Sequence, residues 1–394
     1  MFEEKCIVLG VTGSISACKA VDLASKLTQA GVAVDVIMTE SATRFVTPLS
    51  FQSITHRLVY TDMWAPVTEL NIKHVSLAER ADAIVIAPAT ADTIAHIANG
   101  FADDLLQCTV LSASAPIIIA PAMDVGMYQD EATQENLAKL ESRHYTIVGP
   151  ASGWLASGLE GPGRLVEVPE LLAAIYRVLG QSGDLAGKRI VVTAGGTQEP
   201  IDPVRYIGNY SSGKMGAAIA EAARDRGASV TLINASVSVH PPLGVEIVRV
   251  RTAQEMRRAV LERTSDADAL IMAAAVADYC PSESSGEKIK RQDECLTLEL
   301  TKTSDIIGEV SSRLLKVGFA AESGNLLENA RGKLEAKGLD LIVANDITEA
   351  GSGFGADTNK VTIIDKNGTQ DDLPLMPKSE LAHLILDRVC GLLE

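Results

Sequence analysis

Positive charge is in short supply in this sequence of 394 residues: 35 Lys and Arg stand against 51 Asp and Glu, a formal net charge of −16. A mean field of that sign repels nucleic-acid backbones and anionic membrane surfaces, so any anionic ligand must be held by local donors. Aromatics make up only 4% of residues, and the six cysteines (Cys6, Cys18, Cys108, Cys280, Cys295 and Cys390) lie far apart, without a Cys-x-x-Cys pair or a Cys/His cluster. Such spacing indicates neither a disulfide framework nor structural zinc. Four of the six sit in apolar stretches and are expected as small core residues. No apolar run reaches the roughly 18 to 20 residues of a membrane-spanning helix. The opening MFEEKCIVLG reads as a strand and not as a signal peptide, so a cytoplasmic location is expected.

What is present points to two α/β domains. The length exceeds what a single core usually fills. The opening runs strand, Gly-rich turn, helix, strand: CIVLGVTGSIS, ACKAVDLASKLTQAG, VAVDVIMTE. Two further runs, AIVIAP at 83–88 and PIIIAP at 116–121, lack polar alternation, as strands buried on both faces of a parallel sheet do. A polar stretch, QSGDLAGK, precedes a fresh strand RIVVTA, after which helix KMGAAIAEAARDRG and strands ASVTLIN, ALIMAAA, KVGFAAE and LDLIVAND repeat the pattern. The expected fold class is therefore two doubly wound, mainly parallel-sheet domains of Rossmann or flavodoxin-like type. Their expected limits are 1–180 and 188–394, with a linker at 181–187. Sheets of this kind place ligands at the carboxyl ends of their strands.

In the first half, VTGSISACKA sets Gly13, Ser14 and Ser16 where backbone N–H groups at a helix start can hold a phosphate, although the same residues suit any strand-to-helix turn. APATADT at 87–93 and APAMDVGMY at 120–128 should converge on one sheet edge with room for a flat ligand between them. His74, just before a short helix, fits a surface or capping histidine as well as a catalytic base.

In the second half, Gly208-x-x-x-x-Gly213-Lys214 approaches a P-loop but is followed by Met215, which lacks the metal-binding hydroxyl. What remains is Asn209, Ser211, Ser212 and Gly213 before a small-residue helix, an ordinary cap or an anion site. AAAVADY at 273–279 reads as a buried strand ending in Asp278, a carboxylate placed for a metal or ribose. SSGEKIKRQ at 284–292 reads as a mobile polar loop that brings Lys288 and Lys290, and in so acidic a chain a local cationic loop suits the capping of a triphosphate. Neither glycine turn fits the dinucleotide fingerprint, which disfavours a plain nicotinamide-dependent oxidoreductase.

The marks GSIS, HVSLAERADAIVIAPATAD, PAM with MY four residues on, and SGWLASGLEGPGR resemble the flavin-dependent cysteine decarboxylases. Together with AGGT-x-EP-x-DPVR, N-x-SSGKMG, AAVADY and VGFAAE, they resemble over nearly the whole chain the bifunctional phosphopantothenoylcysteine decarboxylase/phosphopantothenate-cysteine ligases. The resemblance implies that the first domain binds FMN, which oxidises the substrate thiol so that carbon dioxide leaves through a thioaldehyde and an enethiolate. Gly13, Ser14, Thr39, Ala89 and Thr90 fall in the flavin-contacting segments, and His74 matches the active-site histidine. Two positions depart from the family pattern. Asp124 stands where the family has an asparagine that contacts the substrate carboxyl, and like charges there oppose each other. Ser157 stands where the family has a cysteine that protonates the enethiolate, and an alcohol is a far weaker acid than a thiol. A ligase whose first domain serves only FMN binding and assembly is the alternative these departures leave open.

For the second domain the resemblance implies activation of 4'-phosphopantothenate by CTP as an acyl-cytidylate, with loss of pyrophosphate, followed by attack of the cysteine amine. Asn209 matches the asparagine that handles the acyl-cytidylate and Lys288 the phosphate-binding lysine. Asp278, with Mg2+ or Mn2+, belongs by resemblance to the CTP site, as do Ala273, Ala274, Ser304, Asp305, Ile306, Ile307, Phe319, Lys333 and Lys337. In the family it resembles, the first domain makes trimeric contacts and the second dimeric ones, so the resemblance implies a homo-oligomer, a dodecamer.

Overall fold

Residues of the first strand, β1 (Cys6–Val11), alternate between the two faces of a sheet, and all of them are buried. Ile7, Leu9 and Val11 pack with the helices Ala17–Gln29 and Val168–Leu179, whereas Val8 joins Ile84, Ile86 and Ile94 on the other face. A strand covered on both sides has no polar face to show, hence its unbroken apolar sequence. Each such Leu or Ile contributes about 1.5–3 kcal/mol by burial. The computed structural model describes residues 5–64, 72–236, 239–290, 296–322, 324–346, 348, 351–353 and 355–393.

With β2 (Ala33–Met38), β3 (Val59–Tyr60), β4 (Ala83–Ala89), β5 (Ile117–Pro121) and β6 (Thr146–Ile147), the first strand forms a parallel sheet ordered β3-β2-β1-β4-β5-β6. The winding reverses between β1 and β4, and their carboxyl ends form the crevice where doubly wound proteins bind ligands. A separate antiparallel hairpin comes next, β7 (Ala151–Trp154) and β8 (Glu160–Arg164).

The second unit uses the same winding. Its strands are β9 (Arg189–Ala194), β10 (Gln198–Pro200), β11 (Tyr206–Gly208), β12 (Ser229–Asn234), β13 (Glu246–Arg249), β14 (Ala269–Met272), β15 (Tyr279–Pro281), β16 (Leu300–Lys302), β17 (Leu315–Glu322), β18 (Leu341–Asp346), β19 (Thr358–Asp365) and β20 (Gln370–Pro377). The main sheet runs β13-β12-β9-β14-β17-β18-β19-β20, parallel as far as β18 and antiparallel beyond, while β10–β11 and β15–β16 are small hairpins. Here the reversal falls between β9 and β14. Ile190, Val192 and Ala194 face the helices Lys214–Asp225 and Lys378–Leu393, and Val191 faces the opposite core.

The chain divides into compact units at Met1–Leu179 and Gly180–Glu394. Four expectations need correction. Residues 181–187, read as a linker, belong to the second unit: Leu185 is fully buried and its N–H donates to the Arg226 carbonyl. The run AAAVADY is not a strand before its last residue, Tyr279, where β15 begins. The strand stops at Met272, because the N–H groups of Ala274, Ala275 and Ala277 leave the ladder for Thr193 Oγ1, the Gly195 carbonyl and Thr197 Oγ1, bending the chain over β9. Asp278 consequently sits exposed in the connection to β15. The loop at 284–292 is held at Ser285 and Ile289 by backbone hydrogen bonds, with Arg291 and Gln292 outside the described residues. Among the five described cysteines, only Cys6 is buried; Cys295 lies outside the described residues.

No helix among the described residues is long and apolar enough to cross a membrane.

Candidate functional site

The bend after β14 opens the second unit. Two cavities, about 560 and 320 Å3, lie over the carboxyl ends of β9, β14 and β17 and share Ala274, Val276, Asp278, Phe319 and Lys333, forming one cleft at the switch point. The larger is floored by the loop Gly208–Gly213, which enters the helix Lys214–Asp225. Gly216 in its first turn lies so close to β9 that a Cβ would stand 2.6 Å from Ala194 Cβ and 2.8 Å from the Thr193 carbonyl oxygen. Only glycine lets this helix start reach the strand end. The Asn209 side-chain amide donates to the Val276 carbonyl at 3.1 Å, tying the loop to the bent segment.

The smaller cavity is lined by Ser304, Asp305, Ile306, Ile307, Lys333 and Lys337, among others. The side chains of Ile306 and Ile307 are buried in the core, so a ligand there meets mainly their backbone. Lys333 donates to the Phe319 carbonyl at 2.7 Å, and Lys337 pairs with Asp305 at 3.0 Å. The cleft thus offers cationic side chains and two exposed carboxylates, Asp278 and the Lys337-paired Asp305. An array of this kind can neutralise and orient a polyphosphate.

In the first unit the strand ends are joined by Thr12. Its buried hydroxyl donates to the Pro88 carbonyl at 2.7 Å and accepts from the Thr90 N–H at 3.0 Å. Thr39 donates its N–H to Val11 O at 3.0 Å, and Ala122 donates to Ala89 O at 2.9 Å. Gly13, Ser14, Thr39, Ala89 and Thr90 are therefore gathered on neighbouring strand ends. A Cβ on Gly13 would lie 2.5 Å from Ser41 Cβ, which makes the turn a tight cradle. Beyond it starts the helix Ala17–Gln29, whose N-terminal dipole favours an anion.

His74 is half-buried in the helix Lys73–Arg80, as its second residue and not before it. Asp124 caps the helix Val125–Gln129 through Gly126 N–H at 3.0 Å. The Ser157 hydroxyl and the Gly126 N–H hold its carboxyl below the usual carboxylate range against a smaller opposing effect of burial. Asp124 Oδ2 is shielded from solvent and has no hydrogen-bond partner among the described residues. Position 157 is at the exposed tip of the β7–β8 hairpin, whose base is pinned by Met123 N–H to the Gly163 carbonyl. The two positions that depart from the family pattern thus meet in space.

A model of the family described as DNA/pantothenate metabolism flavoprotein C-terminal domain matches residues 185–392, and the Flavoprotein family model matches 1–180. The coenzyme A biosynthesis bifunctional protein CoaBC of Bacillus subtilis (strain 168) is 46% identical over 100% of this chain and 98% of its own length. The chain belongs to the CoaBC family. The Escherichia coli (strain K12) relative of the same name is 43% identical over 98% of this chain and 96% of its own. Among solved structures, the C-terminal domain of a CoaBC covers 54% of this chain and 98% of its own at 42% identity, with a TM-score of 0.47. The FMN-dependent cysteine decarboxylase SpaF covers 46% and 99% at 31% identity, with a TM-score of 0.40.

Of the described residues singled out in the second half of this CoaBC-family chain, all but Lys288 and Lys290 line the cleft. Those two are exposed on their loop and are not among the described residues lining either cavity. Sequence reading missed Lys214 as a lining residue in its own right, and also Asn345, Asn359 and Lys378, which close the far end of the larger cavity. Lys214 pairs with Asp357 at 2.6 Å. Burial, with Lys214 nearby, pushes the Lys378 amine below its ordinary range. These residues come from separate strands and the last helix, so no local spacing announces them.

Proposed function

We infer that this chain carries out two consecutive steps of coenzyme A biosynthesis: CTP-dependent ligation of 4'-phosphopantothenate to cysteine in the second unit, and decarboxylation of the resulting phosphopantothenoylcysteine in the first. The observation that carries the ligase reading is the double cavity at the switch point, with space for a nucleotide in one part and a phosphorylated acid in the other. A carboxylate resists attack by an amine until one of its oxygens belongs to a good leaving group. Attack of the carboxylate on the α-phosphorus of CTP expels pyrophosphate and gives an acyl-cytidylate; the cysteine amine then displaces CMP. Such transfer depends on positioning and charge neutralisation.

Ala273, Ala274, Ser304 to Ile307 and Phe319 enclose the cytidine part, Lys333 and Lys337 face its phosphates, and Lys288, exposed on a loop outside both cavities, is assigned to the phosphates by the family resemblance. Asn209, Ser211, Ser212 and Gly213 hold the acyl-cytidylate. Among the described residues there is no cluster of three or more metal-ligating side chains. Mg2+ fits this site as a companion of the nucleotide, on Asp278 and phosphate oxygens, the usual manner for an ion that keeps most of its water. FMN fits the first unit through the Gly13 cradle and helix start, with Thr39, Ala89 and Thr90 along the strand ends. When bound, it takes up two electrons from the substrate thiol and later returns them. His74, Asp124 and Ser157 are assigned to the substrate side, and Asp124, held ionised, works against a substrate carboxylate. Exposed Tyr206 and Tyr279 on the two hairpins of the second unit, and exposed Ile15 and Leu49 in the first, support a homo-oligomer.

The test is pyrophosphate release by the purified protein with CTP, phosphopantothenate and cysteine. Asn209→Ala should give about one pyrophosphate per site and then stall, a loss of at least about 100-fold in turnover, the order of effect of removing one intermediate-stabilising group. Normal turnover by that variant sinks its assignment.

A further inference from the structure

The sequence DPVR, prominent between β10 and β11, has no part in the ligase cleft. In the structure its aspartate is almost completely buried, at 2% exposure, and its carboxylate is saturated with donors. Asp202 Oδ1 accepts from the N–H groups of Val204 and Arg205, each at 2.8 Å. Oδ2 accepts from Arg205 Nε at 2.9 Å and from Ile289 N–H at 3.2 Å. The same guanidinium, through Nη2, donates to the Ile289 carbonyl at 2.6 Å. Both backbone polar groups of Ile289 are therefore gripped by one Asp–Arg pair, and Ile289 is the residue between Lys288 and Lys290. A further bond, Ser285 N–H to Ile201 O at 2.9 Å, fastens the other end of the loop to the same turn.

Burial alone pushes the Asp202 carboxyl up, but the N–H donors and the guanidinium outweigh it and hold the group down to about 2. The grip is consequently charged throughout the neutral range. Its stabilisation is present above the ordinary carboxylate pKa and is lost only as pH falls toward about 2. On the other side of the turn, β11 runs through Gly208 straight into Asn209 at the cleft floor. The tip that holds Ile289 and the loop that holds Asn209 are thus one short hairpin.

We propose that Asp202 and Arg205 are positioning residues of the ligase reaction: a latch that fixes the Lys288 loop to the hairpin carrying Asn209, so that the phosphate-facing lysine is held in register with that hairpin. This rests on the assignment of Lys288 to the nucleotide phosphates. A loop of polar residues and lysines has little apolar area to bury, and without the latch its backbone ordering is not compensated.

The experiment is a double-mutant cycle on the full-length protein, read as kcat/KM for CTP in pyrophosphate release, with Asp202→Asn, Lys288→Ala and the pair. Asp202→Asn is expected to cost about tenfold, and the double variant to be no worse than Lys288→Ala, because the latch acts only through the lysine; coupling of this size is usual for residues in one network. Trypsin cleavage after Lys288, read by mass analysis, should accelerate about tenfold in Asp202→Asn, since local opening governs cleavage at a held loop. Arg205→Lys, which keeps the charge on Asp202 but cannot span to the Ile289 carbonyl as well, should show the same two signatures if Asp202→Asn fails to fold. Multiplying losses in the double variant, or unchanged cleavage, overturns the latch. A fully active Lys288→Ala overturns instead the assignment of that lysine on which the latch depends.

Discussion

The two units share a winding order and a device. In the first, the Thr12 hydroxyl ties the ends of β1 and β4; in the second, the Thr193 hydroxyl accepts from Ala274 N–H and ties β9 to the segment leaving β14. Each threonine sits at or just past the last paired residues of the two strands between which the sheet reverses, and its side chain bonds a backbone group that this ladder no longer reaches. Past these clamps the units diverge. In the second unit the chain bends back over the sheet and walls a cleft of about 560 and 320 Å3 within a single unit. In the first, the candidate residues are spread over the strand ends, the helix Lys73–Arg80, the start of Val125–Gln129 and the tip of a hairpin. The same switch point is thus walled by a returning segment in the second unit, while in the first its candidate residues come from separate elements, and loops rather than sheet order decide which.

The largest effect that would sharpen this contrast comes from the two close-approach glycines. Gly216→Ala drives a Cβ against the backbone and Cβ of β9, so overpacking of about 1–3 kcal/mol is expected, with loss of most ligase turnover and intact flavin absorbance. Gly13→Ala meets mainly the side-chain Cβ of Ser41, and should reduce flavin binding while sparing pyrophosphate release. If both variants lose both activities, the units are not functionally separate.

Next in size is the pair at the hairpin tip. Asp124→Asn keeps the cap on Gly126, since asparagine caps as well as aspartate, and combined with Ser157→Cys should raise carbon dioxide release from phosphopantothenoylcysteine about tenfold, roughly 1.4 kcal/mol of barrier. Because the Asp124 carboxyl is held below its usual range, it stays ionised from pH 5 to 8, and the gain should be flat across that window. A gain that vanishes at the acid end, or no gain in a folded, flavin-bound protein, refutes this account of the site.

The smallest effect tests the shared device. Thr12→Val and Thr193→Val each remove one buried hydroxyl and should cost about 1 kcal/mol in denaturant unfolding. Thr12→Val should shift only the transition that releases flavin, and Thr193→Val only that which abolishes nucleotide binding. A common shift in both would mean that the threonines are not local clamps.

Much of the fold is legible in the sequence, and for physical reasons. CIVLGV, AIVIAP and RIVVTA announce strands because burial on both faces demands unbroken apolar residues, and GSIS and N-x-SSGKMG announce helix starts because only small, hydrogen-bonding residues fit there. AAAVADY misleads: its apolar run satisfies a strand, yet its N–H groups find better partners on Thr193 and Thr197 than on a neighbouring strand, a competition invisible in composition. Lys378 and Asn359 reach the cleft from more than 140 residues beyond Asn209, and sequence spacing carries no information on such closures.

The sequence alone determined the two doubly wound units and the residue types at each strand end, because periodicity and turn chemistry act over a few residues at a time. Tertiary structure alone decided that Asp124 and Ser157 face each other, that Asp202 reaches across to Ile289, and that the segment after Met272 turns back to wall the second unit's cleft. Those outcomes depend on which backbone donors find which acceptors across long stretches of chain, and that pairing exists only once the sheet has brought them together.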